Sequence, residues 1–469
     1  MEIKSNQFVQ SADEALNDPD LQEAVSYGTR LGFEKRVGAM YEFGREHGEA
    51  LRQQSAGIKR RTLANLPELI VQAEGNLLRN DFKVFWAKDA DEANQLIIEI
   101  AENHQVKLAV KSKSMATEEI GLNDNLEAAG IEVVETDLGE FIVQLAEERP
   151  SHIVVPIVHK TKQSIQKTLE DKAGMPPTDD PLEMTRFARA YLREKFFKAD
   201  LGISGANFVI AETGSIGLVM NEGNGRLVTS LPKVHIVLVG IEKIVATIDE
   251  YATLTQVLPR SATGQTLTVY TNLINGPKRK HEPDGPEDIY VIFLDNGRSD
   301  IYQSNYVESL ACIRCGSCLN ACPVYDVTGG HAYGWVYPGP IGSVITPLLK
   351  GLENAHTLPY ACSLCGLCKD VCPVDIDLPH FLLNLRKDVV ETQSGNWIWN
   401  MGISGWAWIM RHPRIYRWGS KGAGWILSLL QIKKLPGPLS GWTDHRDVPT
   451  FAKRSFTELW ADYKGGVDG

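Results

Sequence analysis

The sequence predicts an α/β domain with an N-terminal helical layer, followed by a cysteine-rich α-helical module and a tryptophan-rich C-terminal region. Three observations predict it. From about 76 to 295, short apolar runs alternate with polar, helix-like segments, the pattern of βα units around a parallel or mixed sheet. All eight cysteines fall between Cys312 and Cys372, in two runs that repeat one another. Residues 395–469 then hold eight of the ten tryptophans. The divisions follow at 1–75, 76–300, 301–390 and 391–469.

Residues 1–75 are rich in Ala, Glu, Leu, Arg and Gln with only two prolines, which fits two or three helices with charged outer faces. The run Lys59-Arg60-Arg61 reads as one such solvated face. In the α/β region, strands are expected at Lys83–Trp86, Lys107–Val110, Ile131–Val134, His152–Val155, Asn207–Ala211, Ile216–Met220 and His235–Val239. A late strand is expected within Asp284–Leu294, and helices at Ala90–Asn103 and Thr117–Ala129.

Composition limits the function. With 43% hydrophobic and 23% charged residues over 469 positions, the chain can bury a sizeable core. Its net charge of -11 argues against nucleic-acid binding, since a phosphate backbone would repel it. No apolar run reaches membrane-spanning length and Met1–Gln7 opens no signal-peptide core, so a cytoplasmic location is expected. In a reducing compartment, clustered cysteines favour metal ligation over disulfides.

The two cysteine runs are Ala311-Cys-Ile-Arg-Cys-Gly-Ser-Cys-Leu-Asn-Ala-Cys-Pro323 and Ala361-Cys-Ser-Leu-Cys-Gly-Leu-Cys-Lys-Asp-Val-Cys-Pro373. Each has the Cys-x-x-Cys-x-x-Cys-x-x-x-Cys-Pro spacing of a ferredoxin-type module with two [4Fe-4S] clusters. In that arrangement the fourth cysteine serves the other cluster. The expected sets are therefore Cys312, Cys315, Cys318 with Cys372, and Cys362, Cys365, Cys368 with Cys322. Gly316 and Gly366 would let backbone approach the cluster. Paired zinc sites are the alternative, but they need neither a third cysteine at this spacing nor the proline. The 39 residues between Cys322 and Cys362 exceed a minimal ferredoxin. There, Tyr333, Trp335, Tyr337 and His356 are read as packing around the clusters rather than as a lid.

The α/β region carries no Gly-x-Gly-x-x-Gly turn and no Gly-x-x-x-x-Gly-Lys-[Ser/Thr] loop, so no NAD, FAD or nucleotide site is expected. Polar residues stand where strands should end, and such ends are where open α/β sheets bind ligands. The candidate substrate or anion site comprises Lys111, Lys113, Asp137, His159, Glu212, Asn221, Asn224, Arg226, Glu242 and Lys243. For Glu212, Asn221, Asn224 and Arg226, capping of well-formed turns is an equally good reading.

The runs Val110-Lys-Ser-Lys-Ser-Met115, Glu135-Thr-Asp-Leu-Gly-Glu140, Gly202-Ile-Ser-Gly-Ala-Asn207, Ala211-Glu-Thr-Gly-Ser215 and Asn221-Glu-Gly-Asn-Gly-Arg226 resemble the lactate-utilisation (LUD) domain. Together with the cysteine runs, nearly the whole chain is similar to the iron-sulfur B component family of lactate-utilisation systems. The resemblance implies a LUD fold similar to the sugar-isomerase and CoA-transferase superfamily. It also implies work with a cysteine-rich A component and a LUD-only C component in oxidising L-lactate to pyruvate.

The function expected is that of an electron-transfer subunit of a multi-subunit L-lactate dehydrogenase, relaying single electrons to an external acceptor such as quinone. One rival has this chain oxidise the hydroxy acid itself, with Lys111, Lys113 or Arg226 on the carboxylate and His159 taking the proton. A second rival is an iron-sulfur assembly or sensing protein. Residues 392–443 contain six Lys or Arg and no acid beside their tryptophans. That composition suits either partner docking or an anionic membrane surface at the inner face of the cell membrane.

Overall fold

A computed structural model describes residues 3–392, 397–430, 433–435, 437, 440–443, 446–449, 452 and 454–467. Residues 1–394 form one compact unit and 395–469 a second. In the first unit the strands are β1 (Lys83–Ala87), β2 (Leu108–Lys111), β3 (Glu132–Glu135), β4 (Leu201–Ser204), β5 (Phe208–Ile210), β6 (Ser215–Met220), β7 (Val234–Gly240), β8 (Ile244–Val245), β9 (Tyr270–Ile274) and β10 (Asp288–Leu294).

Six of them make an all-parallel sheet in the order β1-β10-β7-β4-β2-β3. The central strand β7, Val-His-Ile-Val-Leu-Val-Gly, is buried at every residue, as a parallel strand covered on both faces must be. The edge strand β1 is only half covered. Its following helix, Ala90–Asn103, is closed by a capping box: Asp89 Oδ1 accepts from Glu92 N, while Glu92 Oε2 accepts from Lys88 N. A second sheet, β8-β5-β6-β9, mixes a parallel pair with two antiparallel ones.

Three sequence expectations change in the structure. The helix expected over Thr117–Ala129 is two helices, Met115–Glu119 and Leu122–Ala128, because Gly121 between them turns left-handed at φ 63. His152–Val155 is not a strand. The His152 Nδ1 accepts the N–H groups of Val154 and Val155, both at 3.0 Å, which a strand would have offered to a neighbour. Conversely β4 is not among the expected strands; Gly202 lets the Asn224–Ser230 helix press on it, since a Cβ there would meet Val228 O at 2.0 Å.

The N-terminal layer holds four α-helices among the described residues: Phe8–Leu16, Pro19–Met40, Arg45–Ala64 and Leu66–Arg79. Its basic run is a solvated face at Arg60 and Arg61, which are exposed, but not at Lys59. Lys59 is buried and donates to Glu242 O at 2.8 Å, Arg60 pairs with Glu308 and Asp375, and Arg61 pairs with Glu250. Arg36 Nη2 donates to Val371 O at 2.7 Å and Arg52 Nε to Cys372 O at 3.1 Å, so the layer grips the cysteine module through its cations. One hydrophobic core joins Val25 and Ile58 of this layer, Phe208 and Ile244 of the second sheet, and Leu319, Tyr325 and Leu382 of the module.

In the second unit, Trp397–Met410 and Pro413–Leu430 are helices. Trp397, Trp406, Trp408 and Trp418 are exposed, whereas the side chains of Trp399, Trp425 and Trp442 lie outside the described ones. No helix among the described residues is long and apolar enough to cross a membrane.

Candidate cysteine centres and the adjoining cavity

The two cysteine runs repeat at the level of backbone conformation. Arg314 and Leu364, each before the second cysteine of its run, both turn left-handed, at φ 60 and 58. Gly316 and Gly366 do so again, at φ 75 and 88, and each opens a short helix, Ser317–Asn320 and Leu367–Asp370. Alternating turns of this kind aim amides inward. Cys312 Sγ accepts from Arg314 N at 3.4 Å, and Cys362 Sγ from Leu364 N at 3.2 Å. Gly316 has a second reason to be glycine: a Cβ would meet the His152 ring at 3.0 Å and Val154 at 3.2 Å. His152 Nε2 lies 3.1 Å from Asn320 Oδ1. With Nδ1 accepting two amides, the proton sits on Nε2. Burial holds the ring neutral, its pKa pushed down to about 3.

Cys312, Cys315 and Cys318 line one apolar cavity together with Cys372 from the other run, closed by Ile153, Ile313, Ile341, Val374 and Leu378. The remaining thiols keep company in the same exchanged way. Burial raises Cys322 to about 11, with Cys362 and Cys365 adding to it, and burial raises Cys368 to about 12, with Cys362, Cys322 and Cys365 adding to it. All eight cysteines are free thiols. Among the described residues no group of three or more His, Cys, Asp or Glu side chains is placed to hold a single metal ion. Cys372 is likewise raised to about 12 by burial, so deprotonating these groups needs a positive partner, which iron supplies. The donor set therefore fits iron-sulfur clusters. The first centre is enclosed, while the second reaches solvent at Cys365. Tyr333, Trp335 and Tyr337 are buried packing.

A cavity of about 510 Å³ opens beyond the carboxyl ends of β2, β4 and β7. Of the candidate residues it brings together Lys113, Asp137, Asn221, Asn224, Glu242 and Lys243. Lys111, His159, Glu212 and Arg226 do not line it. Lys111 is fully buried, and its Nζ is taken by Glu135 Oε1 and Asn123 Oδ1, both at 2.6 Å. His159 binds Glu148 at 2.8 Å and packs on His331; burial pushes it down to about 4, so it is neutral but elsewhere. Glu212 Oε2 accepts from Ile248 N at the start of the Ile248–Ala262 helix, while Arg226 lies over the Tyr270 ring. The Glu212–Gly214 turn is a docking point: Asn76 and Asn80 donate to the carbonyls of Ala211, Glu212, Thr213 and Gly214.

Sequence reasoning missed the network at the floor of the cavity. Arg298 Nη1 and Nη2 donate to the two oxygens of Glu119 at 2.8 Å each, and its Nε donates to Glu242 at 2.7 Å. Burial alone would raise Glu242, but Arg298, Lys243 and Arg314 outweigh it and hold the carboxylate at about 2. Burial pushes Lys59 and Lys243 down to about 8. At the other polar group, partial burial beside Asp137 pushes Glu222 up to about 7, and Lys113 faces Glu140 at 3.3 Å. Arg314, Ile313 and Ile153 line both this cavity and the first cysteine centre. No sequence signal singles out Arg314, since the two runs differ at five other positions besides Arg314 and Leu364.

Residues 70–294 match the family described as "LUD domain", 308–376 the "4Fe-4S dicluster domain", and 388–464 "Lactate utilisation protein B, C-terminal". The chain is 42% identical to lactate utilization protein B of Bacillus pumilus over 98% of both chains. It is 42% identical to lactate utilization protein B 1 of Bacillus mycoides over 100% of this chain and 99% of that one. The figure is again 42% for the protein of that name from Oceanobacillus iheyensis, over 98% and 97%.

Proposed function

The chain belongs to the lactate utilization protein B family, and on that premise we propose that it relays single electrons between the site of lactate oxidation and an external acceptor. It is an iron-sulfur subunit of lactate utilization. Cys312, Cys315, Cys318 and Cys372 would hold one [4Fe-4S] cluster, and Cys362, Cys365, Cys368 and Cys322 the other. Such clusters accept and release one electron each. The observation that supports the reading is the place of Cys372, which lines one cavity with Cys312, Cys315 and Cys318 of the first run. Sharing ligands ties two one-electron sites into a single unit, a fit to a substrate that gives up two electrons.

The residues around the centres set an order. Arg36, Lys59, Lys243 and Arg314 surround the enclosed first centre with positive charge, and amides donate to Cys312, Cys362 and Cys372. The first centre adjoins the cavity and the second opens to solvent at Cys365, so electrons would enter at the first and leave at the second. The reading takes a cysteine-rich A component and a LUD-only C component as partners. The acid-free stretch 392–443 serves as the docking segment, for a partner subunit or for an anionic membrane carrying a quinone acceptor. Flotation with anionic liposomes separates the two: binding by the chain alone supports the membrane, and binding only to partner subunits supports docking.

Chemical analysis tests the relay. The anaerobically purified chain should hold about eight irons and eight sulfides, with dithionite-reduced electron paramagnetic resonance showing two interacting reduced centres. Stoichiometric zinc in place of iron would refute it.

A further inference from the structure

Backbone donors to the two cysteine centres are matched. Arg314 N donates to Cys312 Sγ and Leu364 N to Cys362 Sγ, from the same left-handed turn at φ 60 and 58. The fourth thiols are matched too: Cys322 accepts from the amides of Val324 and Tyr325, and Cys372 from those of Val374 and Ile376. These donors therefore act alike on the two centres. Side-chain charge does not repeat. The runs differ at six positions, and three of them bring a charge: Arg314 opposite Leu364, Lys369 opposite Leu319, and Asp370 opposite Asn320. Lys369 is paired with Asp377 and Asp370 is exposed, so water and salt screen both. The Arg314 side chain is only 8% exposed and lines the same cavity as Cys312, Cys315, Cys318 and Cys372. Its charge is poorly balanced. Glu242 gives one oxygen to Arg298 at 2.7 Å and stands 3.8 Å from Arg314, whose Nη1 is buried without an acceptor among the described residues. Lys59 and Lys243 face the Cys312 thiol as Arg314 does, whereas Glu119 and Glu250 pair with Arg298 and Arg61.

We propose that Arg314 makes the two centres unequal, its buried charge raising the reduction potential of the first above that of the second. An added electron makes a cluster more negative, and an unscreened cation beside it favours that state. Enclosure acts the other way, because burial disfavours added charge. At Glu242, in the same surroundings, Arg298, Lys243 and Arg314 outweigh burial and keep a negative charge in place. The proposal rests on the relay reading and adds where the electron waits: on the first centre, until an acceptor at the second draws it off.

The test is a potentiometric titration of the anaerobically purified full chain, followed by electron paramagnetic resonance, with iron and sulfide measured on every sample. Two distinct one-electron midpoints are expected. Arg314→Leu gives the first run the residue that the second carries at the same backbone angle. It should shift the reduction equilibrium of the higher midpoint by about tenfold or more, a fall of about 59 mV, and leave the lower midpoint in place. Arg314→Lys keeps the charge and should retain most of the higher value. Coincident midpoints in the parent, an unmoved higher midpoint in Arg314→Leu, an equal fall of both midpoints, or Arg314→Lys falling as far as Arg314→Leu would each overturn the proposal. Loss of iron in Arg314→Leu would also overturn it, by assigning the guanidinium to assembly of the centre rather than to its potential. A parent chain without clusters would refute the relay itself, whereas two clusters with unmoved midpoints would leave the relay standing and refute only this role of Arg314.

Discussion

Glu119→Gln should destabilise the main unit by about 4 kcal/mol, although Gln has nearly the size of Glu. Glu119 is buried and accepts four hydrogen bonds. Asn296 Nδ2 and Arg298 Nη1 reach Oε1 at 2.7 and 2.8 Å, while Arg298 Nη2 and Tyr337 Oη reach Oε2 at 2.8 and 2.7 Å. All four partners donate. Whichever way the new amide is turned, its NH₂ group meets two donors, and Arg298 loses one of its two counterions. Breaking a buried ion pair from one side costs about 3–5 kcal/mol. At about 2.1 cal/mol/K per residue, a unit of residues 1–394 has an unfolding entropy near 0.8 kcal/mol/K, so about 4 kcal/mol lowers the midpoint by about 5 °C. Anaerobic thermal unfolding followed by circular dichroism reads the shift. A Glu119→Gln midpoint within roughly 1 °C of the parent would refute the reasoning.

Three further outcomes follow from the same structure. Cys362→Ser combined with Cys372→Ser should remove essentially all iron, although both residues lie in one run, because the exchange assigns them to different centres; retention of about half would mean that each run serves its own centre. His235, buried in β7 against Ser204 Oγ at 2.8 Å, has its pKa pushed down to about 3 by burial. Its folded form resists protonation, so its contribution to stability is whole above pH 6.5 and lost as pH falls from there toward 3. His235→Gln should therefore shrink the loss between pH 7 and 5.5 by about 1 kcal/mol in urea unfolding. Lys111→Met leaves Glu135 buried without its cation and should cost about 3–5 kcal/mol in the same assay.

What could be read from the sequence divides along a physical line. β7 and β10 were legible because a strand buried on both faces is a continuous apolar run, and the Ala90–Asn103 helix because its caps are local. The dicluster module is legible because ligand spacing is also local. His152–Val155 departs from the strand expectation because its amides bond to its own imidazole, and β4 escapes it because Gly202 interrupts the apolar run to make room for a helix. The cavity was half legible: Lys113 and Lys243 follow strands that end at it, whereas Lys111 and Arg226 have the same polarity but point elsewhere. Arg298 and Glu119 meet across 179 positions, and no spacing rule reaches that far.

In the proposed relay, electrons pass through this chain rather than originate in it. Anaerobic visible absorbance of the cluster-loaded protein, before and after L-lactate, tests it most directly, first alone and then with the A and C components. The account predicts bleaching only when both partners are present. Bleaching of the chain alone would place the oxidation in its own cavity, and no bleaching under either condition would assign the cysteine centres a structural or sensing role; either result would contradict the relay.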